Sequence, residues 1–196
     1  MKTNQEYKNA ALAALKGNWT QAVLAGLAFF AISIVLSMPS ASNPEGASLV
    51  SLVGSICVVM PLSVGLCTAY RELYLGKNVN VVEYTFKTGF ANWKHNVGGM
   101  LLVSVYTFAW MLLLVVPGVI KAFAYALTPF ILAERPELSA NEAIELSMKM
   151  MDGHKLELFI LLFSFIGWYF LSVITLCIGA LWVVPYQYTA MAAFYE

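Results

Sequence analysis

The sequence predicts an all-α polytopic membrane protein with six transmembrane helices and short amphipathic interfacial helices. These form three helix-hairpin units in one integral membrane domain, residues 1–196. Three observations carry this. Of the 196 residues, 60% are hydrophobic and 11% charged, and mean hydropathy is positive. A soluble domain of this size has no interior large enough for so much apolar surface. Uncharged runs reach spanning length: 158–177 holds no charge, and about 20 apolar residues cross the hydrocarbon core as a helix. Finally, an amphipathic segment, a sharp corner and a span follow one another three times. The corners are Gly17-Asn18-Trp19, Ala91-Asn92-Trp93 and Gly153-His154-Lys155.

The first unit covers about 5–75. Residues 5–16 are rich in helix formers, with Tyr7, Ala11, Leu12 and Leu15 on one side and Lys8 and Lys16 flanking it. That pattern fits a helix lying in the interface. Trp19 stands at the depth indole rings prefer. The first span is about 19–38. Residues 39–46, P-S-A-S-N-P-E-G, read as a turn-rich loop. The second span, about 47–72, contains Pro61, which removes a backbone hydrogen bond and bends the helix. Gly54, Ser55, Ser63 and Gly65 would admit a neighbouring helix at close range.

The second unit covers about 79–135. Residues 79–92 form a second interfacial candidate, with Val82, Phe86 and Phe90 recurring every four residues. Its β-branched residues and Gly89 weaken its helical tendency. The 37 residues 97–133 carry one charge, Lys121. That is too long for one span and enough for two with a tight turn. Pro117-Gly118 is the expected turn. The spans are then about 96–116 and 119–133.

The third unit covers about 139–196. Ser139 and Glu142 fit a capping box, so a helix starts near Ala140. Ala140, Ile144, Met148 and Met151 make its apolar face, and Glu145 can pair with Lys149. Gly153 ends it. The fifth span is about 156–176, followed by an uncharged turn, 175–179. The sixth is about 180–194, with Pro185 inside it. The first and third units agree best: Ala69-Tyr70-Arg71-Glu72 and Ala193-Phe194-Tyr195-Glu196 lie equally far past their prolines.

All Lys and Arg except Lys121 lie in the N-terminal segment, the two charged linkers or the ends beside them. The positive-inside rule then puts both termini in the cytoplasm. The first apolar run is too long, and the segment before it too polar, for an ordinary cleaved signal peptide. No lipidation box is present. Cys57, Cys67 and Cys177 form no C-x-x-C pair, so neither a zinc nor a thiol-redox site is expected. Net charge is zero, which leaves no nucleic-acid footprint. The expected partners are the lipid bilayer and a membrane-protein partner or second copy of the chain. No cofactor is expected.

The run from Pro117 to Lys155, P-G-V-I-K-A-F-A-Y-A-L-T-P-F-I-L-A-E-R-P-E-L-S-A-N-E-A-I-E-L-S-M-K-M-M-D-G-H-K, is followed by L-F-S-F-I-G-W and V-P-Y. With L-K-G-N-W near the start, it resembles the bacterial integral-membrane family called domain of unknown function 975. That family is similar in layout to the membrane region found beside some glycerophosphodiester phosphodiesterases. The resemblance implies a multi-pass protein of the bacterial inner membrane. It brings no established activity and no catalytic residue.

Seven residues are candidate functional positions: Pro61, Lys121, Asp152, His154, Lys155, Pro185 and Gln187. An intramembrane charge such as Lys121 is a functional candidate by default, but its stem can snorkel to the nearby outer surface. Asp152, His154 and Lys155 resemble an acid–base cluster, yet they equally fit a solvated helix C-terminus. Gln187 and Thr189 are placed to satisfy the carbonyl that Pro185 frees, with lining of a polar pathway as the minority reading. Met148, Met150 and Met151 read as membrane-facing filler. No metalloprotease, nucleophile-elbow or P-loop motif occurs.

Three function classes follow. A non-enzymatic accessory or envelope-associated component comes first, because no site emerges. A small transporter or channel for a neutral or lipid-like solute is second, on the broken helices at Pro61 and Pro185. An intramembrane lipid-modifying enzyme using Asp152, His154 and Glu157 is last, since no preorganised partner is visible.

Overall fold

The computed structural model describes residues 3–42, 47–77, 79–175 and 178–196. These form helices joined by turns, with no strand among the described residues. Five helical stretches among the described residues are long and apolar enough to cross a membrane: Trp19–Leu36, Ser51–Tyr74, Trp93–Leu113, Val115–Glu134 and Lys155–Ile174.

α1 (Asn4–Leu15) starts at Thr3, whose side chain forms a capping box with Glu6. Gly17, at φ 88°, turns the chain into α2 (Trp19–Ser42). α2 is longer than expected, and residues 39–42 of the predicted loop are its last turn. The rest of that loop, 43–46, lies outside the described residues, as do 176 and 177 of the later turn.

Next come α3 (Ala47–Gly54), a π-helical segment (Ser55–Val59) and α4 (Met60–Tyr74). Pro61 therefore sits in the first turn of α4, just after a widened turn, and the π segment takes up the irregularity. Pro61 has no N–H for the carbonyl one turn back, that of Cys57. The Trp93 indole supplies the donor instead, at 2.8 Å.

α5 (Val81–Ala91) is capped by Asn80 and packs antiparallel along α4. The approach is backbone to backbone. A Cβ on Gly65 would lie 2.0 Å from the Thr85 carbonyl oxygen, and one on Gly89 2.7 Å from the Pro61 oxygen. The face that meets α4 is the one of small residues, not the stripe of Val82, Phe86 and Phe90. Val81, Thr85 and Gly89 are buried, while Phe86 and Phe90 are about one-third exposed. Close contact selects small residues, and surrounding lipid tolerates the large apolar ones outside. Asn96 secures the corner by donating to the carbonyls of Gly89 (2.8 Å) and Thr88 (3.3 Å).

α6 (Trp93–Leu113) and α7 (Val115–Ala124) are joined at Leu114, whose backbone is extended. The turn is thus not at Pro117-Gly118. Both residues lie in the first turn of α7, where proline is tolerated because the first N–H groups have no intrahelical partner. Gly118 serves contact rather than turning: a Cβ there would lie 2.6–2.9 Å from Met111. α8 (Thr128–Glu134) continues the direction of α7 after a short break.

α9 (Ala140–Met150) has the predicted capping box, with the Ser139 hydroxyl accepting from the Glu142 N–H and the Glu142 carboxylate from the Ser139 N–H. Gly153, at φ 80°, makes the corner. The next span is broken at Ser164-Phe165 into α10 (Lys155–Phe163) and α11 (Ile166–Ile174). Lys8 of α1 donates to the freed Ser164 carbonyl at 3.1 Å and lies over the Phe165 ring. α12 (Ala180–Tyr195) completes the chain, with Pro185 inside it.

The core gathers at one end of the molecule. Leu15, Ala22, Leu66, Tyr70, Phe130, Ile131, Met151, Leu161, Phe165 and Ala190 are fully or almost fully buried there. Away from it, neighbouring helices pair as α2 with α3, α6 with α7, and α11 with α12. Their side chains face outward: Phe30, Leu112, Val116, Phe170 and Ile174 are each more than 60% exposed. An apolar surface of this extent requires lipid or partner helices around it.

Candidate functional site: an apolar cavity above a charged clasp

The helix pairs diverge from the common core and leave a cavity of about 470 Å³ between them. Its wall takes Gly26, Phe29 and Phe30 from α2 and Ser63 and Cys67 from α4. Met100 comes from α6, Ala126 and Pro129 from the α7–α8 region, Tyr169 from α11, and Leu181, Val184, Gln187, Tyr188 and Met191 from α12. Among the described residues, no charged side chain lines it. The polar groups are few and cluster on α12 and its neighbour. Gln187 Oε1 accepts from the Tyr169 hydroxyl, which leaves the Gln187 amide nitrogen without a hydrogen bond among the described residues. The Tyr188 hydroxyl likewise makes none among them, while its ring stacks on Tyr70 at 5.8 Å. Tyr70, stacked on the wall residue Tyr188, donates through its hydroxyl to the Ala22 carbonyl at 2.9 Å. Such a wall suits a mainly apolar guest with one uncharged polar group.

Below this lies a charged clasp. Arg71, at the end of α4, donates to Glu134 at the end of α8 (3.1 Å) and to Glu196 just past α12. Tyr195 donates to Glu134 and carries the Arg71 guanidinium over its ring, 5.3 Å from the centroid. The Arg71 side chain is only 13% exposed. A buried guanidinium needs such paired acceptors to offset its lost hydration. Glu72, 6% exposed, accepts from Lys77, and that bond holds the Lys77 ammonium above the usual lysine range. A second cavity, of about 350 Å³, adjoins the clasp and is lined by Tyr7, His154, Glu157, Phe194, Tyr195 and Glu196.

The sequence-predicted positions divide between these places. Gln187 lines the apolar cavity, and Pro185 is buried behind it beside Gly26. Neither Gln187 nor Thr189 serves the carbonyl that Pro185 frees. Gln187 turns to Tyr169, and Thr189 back-bonds to the Pro185 carbonyl at 2.8 Å, the normal reach of a helical threonine. Pro61 is buried against Gly89, one turn from the cavity wall.

Lys121 is partly buried. Its ammonium lies 3.7 Å from Met148 Sδ and 5.2 Å from the Trp110 ring centroid, held by cation–π attraction between α6 and α9. Among the methionines expected to face the membrane, Met151 departs, being fully buried, while Met150 is about one-third exposed. His154 pairs with Glu157 at 3.2 Å and lines the second cavity; Asp152 is exposed and outside it, and Lys155 opens α10.

Sequence reasoning missed Glu134, Glu196, Tyr169 and Tyr188. A signal was available for the glutamates: each ends the second helix of its unit, where Arg71-Glu72 ends the first unit's. The tyrosines gave none, because an aromatic residue in a span reads as interfacial or core.

A family model described as a protein of unknown function, DUF975, matches residues 48–196. No curated protein and no solved structure matches the chain.

Proposed function

The chain belongs to the DUF975 family, proteins of unknown function, and on that premise we propose that it is a non-catalytic membrane protein that takes up a neutral, lipid-like solute. The single observation that carries this reading is the uncharged cavity of about 470 Å³ among the helix pairs, with Gln187 and Tyr188 on its wall. Ligand sites are typically about 300–1,000 Å³, mostly apolar, with a few placed polar groups. The accessory reading rested on the lack of any site, and the cavity supplies one. In this account α12 is a sixth span, the pairs α2–α3, α6–α7 and α11–α12 are three hairpin units, and both termini face the cytoplasm of a bacterial cell at its inner membrane. The placement of the lysines and arginines supports that orientation. The likeness in layout to the membrane region beside glycerophosphodiester phosphodiesterases is in keeping with a lipid-like guest. The exposure of Asp152, which is not among the residues that line the second cavity, favours a non-catalytic role for the 152–155 corner.

Native mass spectrometry of protein extracted gently from its own membrane tests the reading. The parent retains one amphiphile in fixed stoichiometry. Ala126→Phe, which fills the cavity, expels it, and the double variant Gln187→Leu/Tyr188→Phe weakens its retention. Equal retention in Ala126→Phe and the parent would remove the cavity from consideration.

A further inference from the structure

The two cavities and the clasp between them form a sequence of compartments along the same helices. On α4 the cavity wall ends at Cys67 and the clasp begins at Arg71. On α12 the wall ends at Met191, and Glu196 joins the clasp. On α8 Pro129 lines the cavity and Glu134 joins the clasp. The offset is four or five residues in each case, about 6–8 Å of helix. Between cavity and clasp lie two ring pairs: Tyr70 on Tyr188 at 5.8 Å and Phe130 on Tyr195 at 5.1 Å. Beyond the clasp lies the second cavity, which shares Tyr195 and Glu196 with it.

Among the described residues, the ion pairs that join different helices are all made by Arg71. The other contacts between helices are apolar packing, hydrogen bonds and cation–π contacts. A charged joint differs from such packing, because water can replace its partners when it separates. Its three arms lie at the ends of α4, α8 and α12, three of the helices that wall the cavity, so separating it moves those walls at their bases.

Resting on the solute-binding reading above, we propose that the Arg71–Glu134–Glu196 clasp, with the two ring pairs beside it, is the closed cytoplasmic gate of the apolar cavity, and that the second cavity is its vestibule. In this account the clasp shuts the cavity on the cytoplasmic side. Opening requires Arg71 to leave both carboxylates and Tyr195 to lift from Phe130.

The test uses the full chain in inside-out membrane vesicles. A reporter thiol is placed on the cavity wall by Met191→Cys, with Cys57→Ser, Cys67→Ser and Cys177→Ser removing the native thiols. A charged, membrane-impermeant thiosulfonate is added from the cytoplasmic side. With the clasp intact the reporter is protected. Arg71→Ala, and separately Glu134→Gln/Glu196→Gln, raise its labelling rate at least about tenfold, as expected for a tenfold rise in the open population. The double glutamine variant keeps its side chains hydrogen-bonding and so guards against misfolding of Arg71→Ala. Lys149→Ala removes an exposed charge that makes no ion pair among the described residues and leaves the rate unchanged. Protection that persists in both clasp variants overturns the gate, and so does equal labelling in Lys149→Ala. Lipid retention by native mass spectrometry is read on the same samples. If the parent retains lipid while the clasp variants stay protected, the gate alone fails. If the parent retains none, the solute reading fails with it.

Discussion

Gly65 offers the sharpest test of how the core is assembled. α4 and α5 meet at Gly65 and Gly89 with no side chain between them. Replacing Gly65 by alanine puts a carbon 2.0 Å from the Thr85 carbonyl oxygen and 2.8 Å from the Gly89 nitrogen. An ordinary C···O contact is about 3.3 Å or more, so the helices must part by over about 1 Å. The opposing atoms are backbone and cannot rotate aside. Overpacking of this kind costs about 1–3 kcal/mol, and the rigid partner puts Gly65→Ala at the upper end. For a chain of this length that lowers the midpoint of thermal unfolding by roughly 5–10 °C. The assay is thermal unfolding in a single detergent, followed by tryptophan fluorescence. Gly98→Ala is the control, because a Cβ there meets nothing within 4 Å. It also replaces a helical glycine with a better helix former, so its midpoint stays level or rises. If Gly65→Ala and Gly98→Ala behave alike, the close α4–α5 contact is absent and the fold account fails at its centre.

Further outcomes follow from the same geometry. Trp93→Phe removes the donor to the Cys57 carbonyl and costs about 1–2 kcal/mol. Pro61→Ala gives that carbonyl a backbone donor again, so a double-mutant cycle by unfolding should show Trp93→Phe costing less in the Pro61→Ala background. Gly118→Ala destabilises through contact with Met111, whereas Pro117→Ala changes stability by less than about 0.5 kcal/mol, since the first turn of a helix needs no N–H there; a turn at 117–118 would leave Gly118→Ala without that contact. The hydrogen bonds at Ser139 hold the Glu142 carboxyl below its ordinary value. Its contribution is therefore present above the usual carboxylate range and lost as pH falls through the depressed value. Unfolding midpoints measured from pH 6 to pH 3 (about the carboxylate range) should show a weaker acid loss in Ser139→Ala than in the parent.

The helices themselves were legible because their signals are local. Ser139 and Glu142 announce a capping box three residues apart. Gly17 and Gly153 mark corners where the backbone adopts positive φ. The 158–177 run announces a span by length alone. What escaped depends on which neighbour each residue meets. In α5 the apolar stripe Val82, Phe86, Phe90 marks an interfacial helix but not the face that meets protein. Beside lipid the outer face is apolar too, so the stripe says nothing of direction; the small residues Thr85 and Gly89 mark the contact. Pro117-Gly118 has turn chemistry, and the same two residues also suit a helix start with a close neighbour. The clasp joins Arg71 to residues 63 and 125 positions away, a separation no spacing rule covers. The cavity is a property of how helix pairs diverge, and divergence has no sequence signature.

The most direct test of solute binding is an experimental structure of the protein in lipid nanodiscs made from its native lipids. The account predicts elongated density between α2, α4 and α12, with its polar end within hydrogen-bonding reach of Gln187 and Tyr188 and the Arg71 clasp closed beneath it. Helix pairs drawn together with the cavity filled by their own side chains would contradict it.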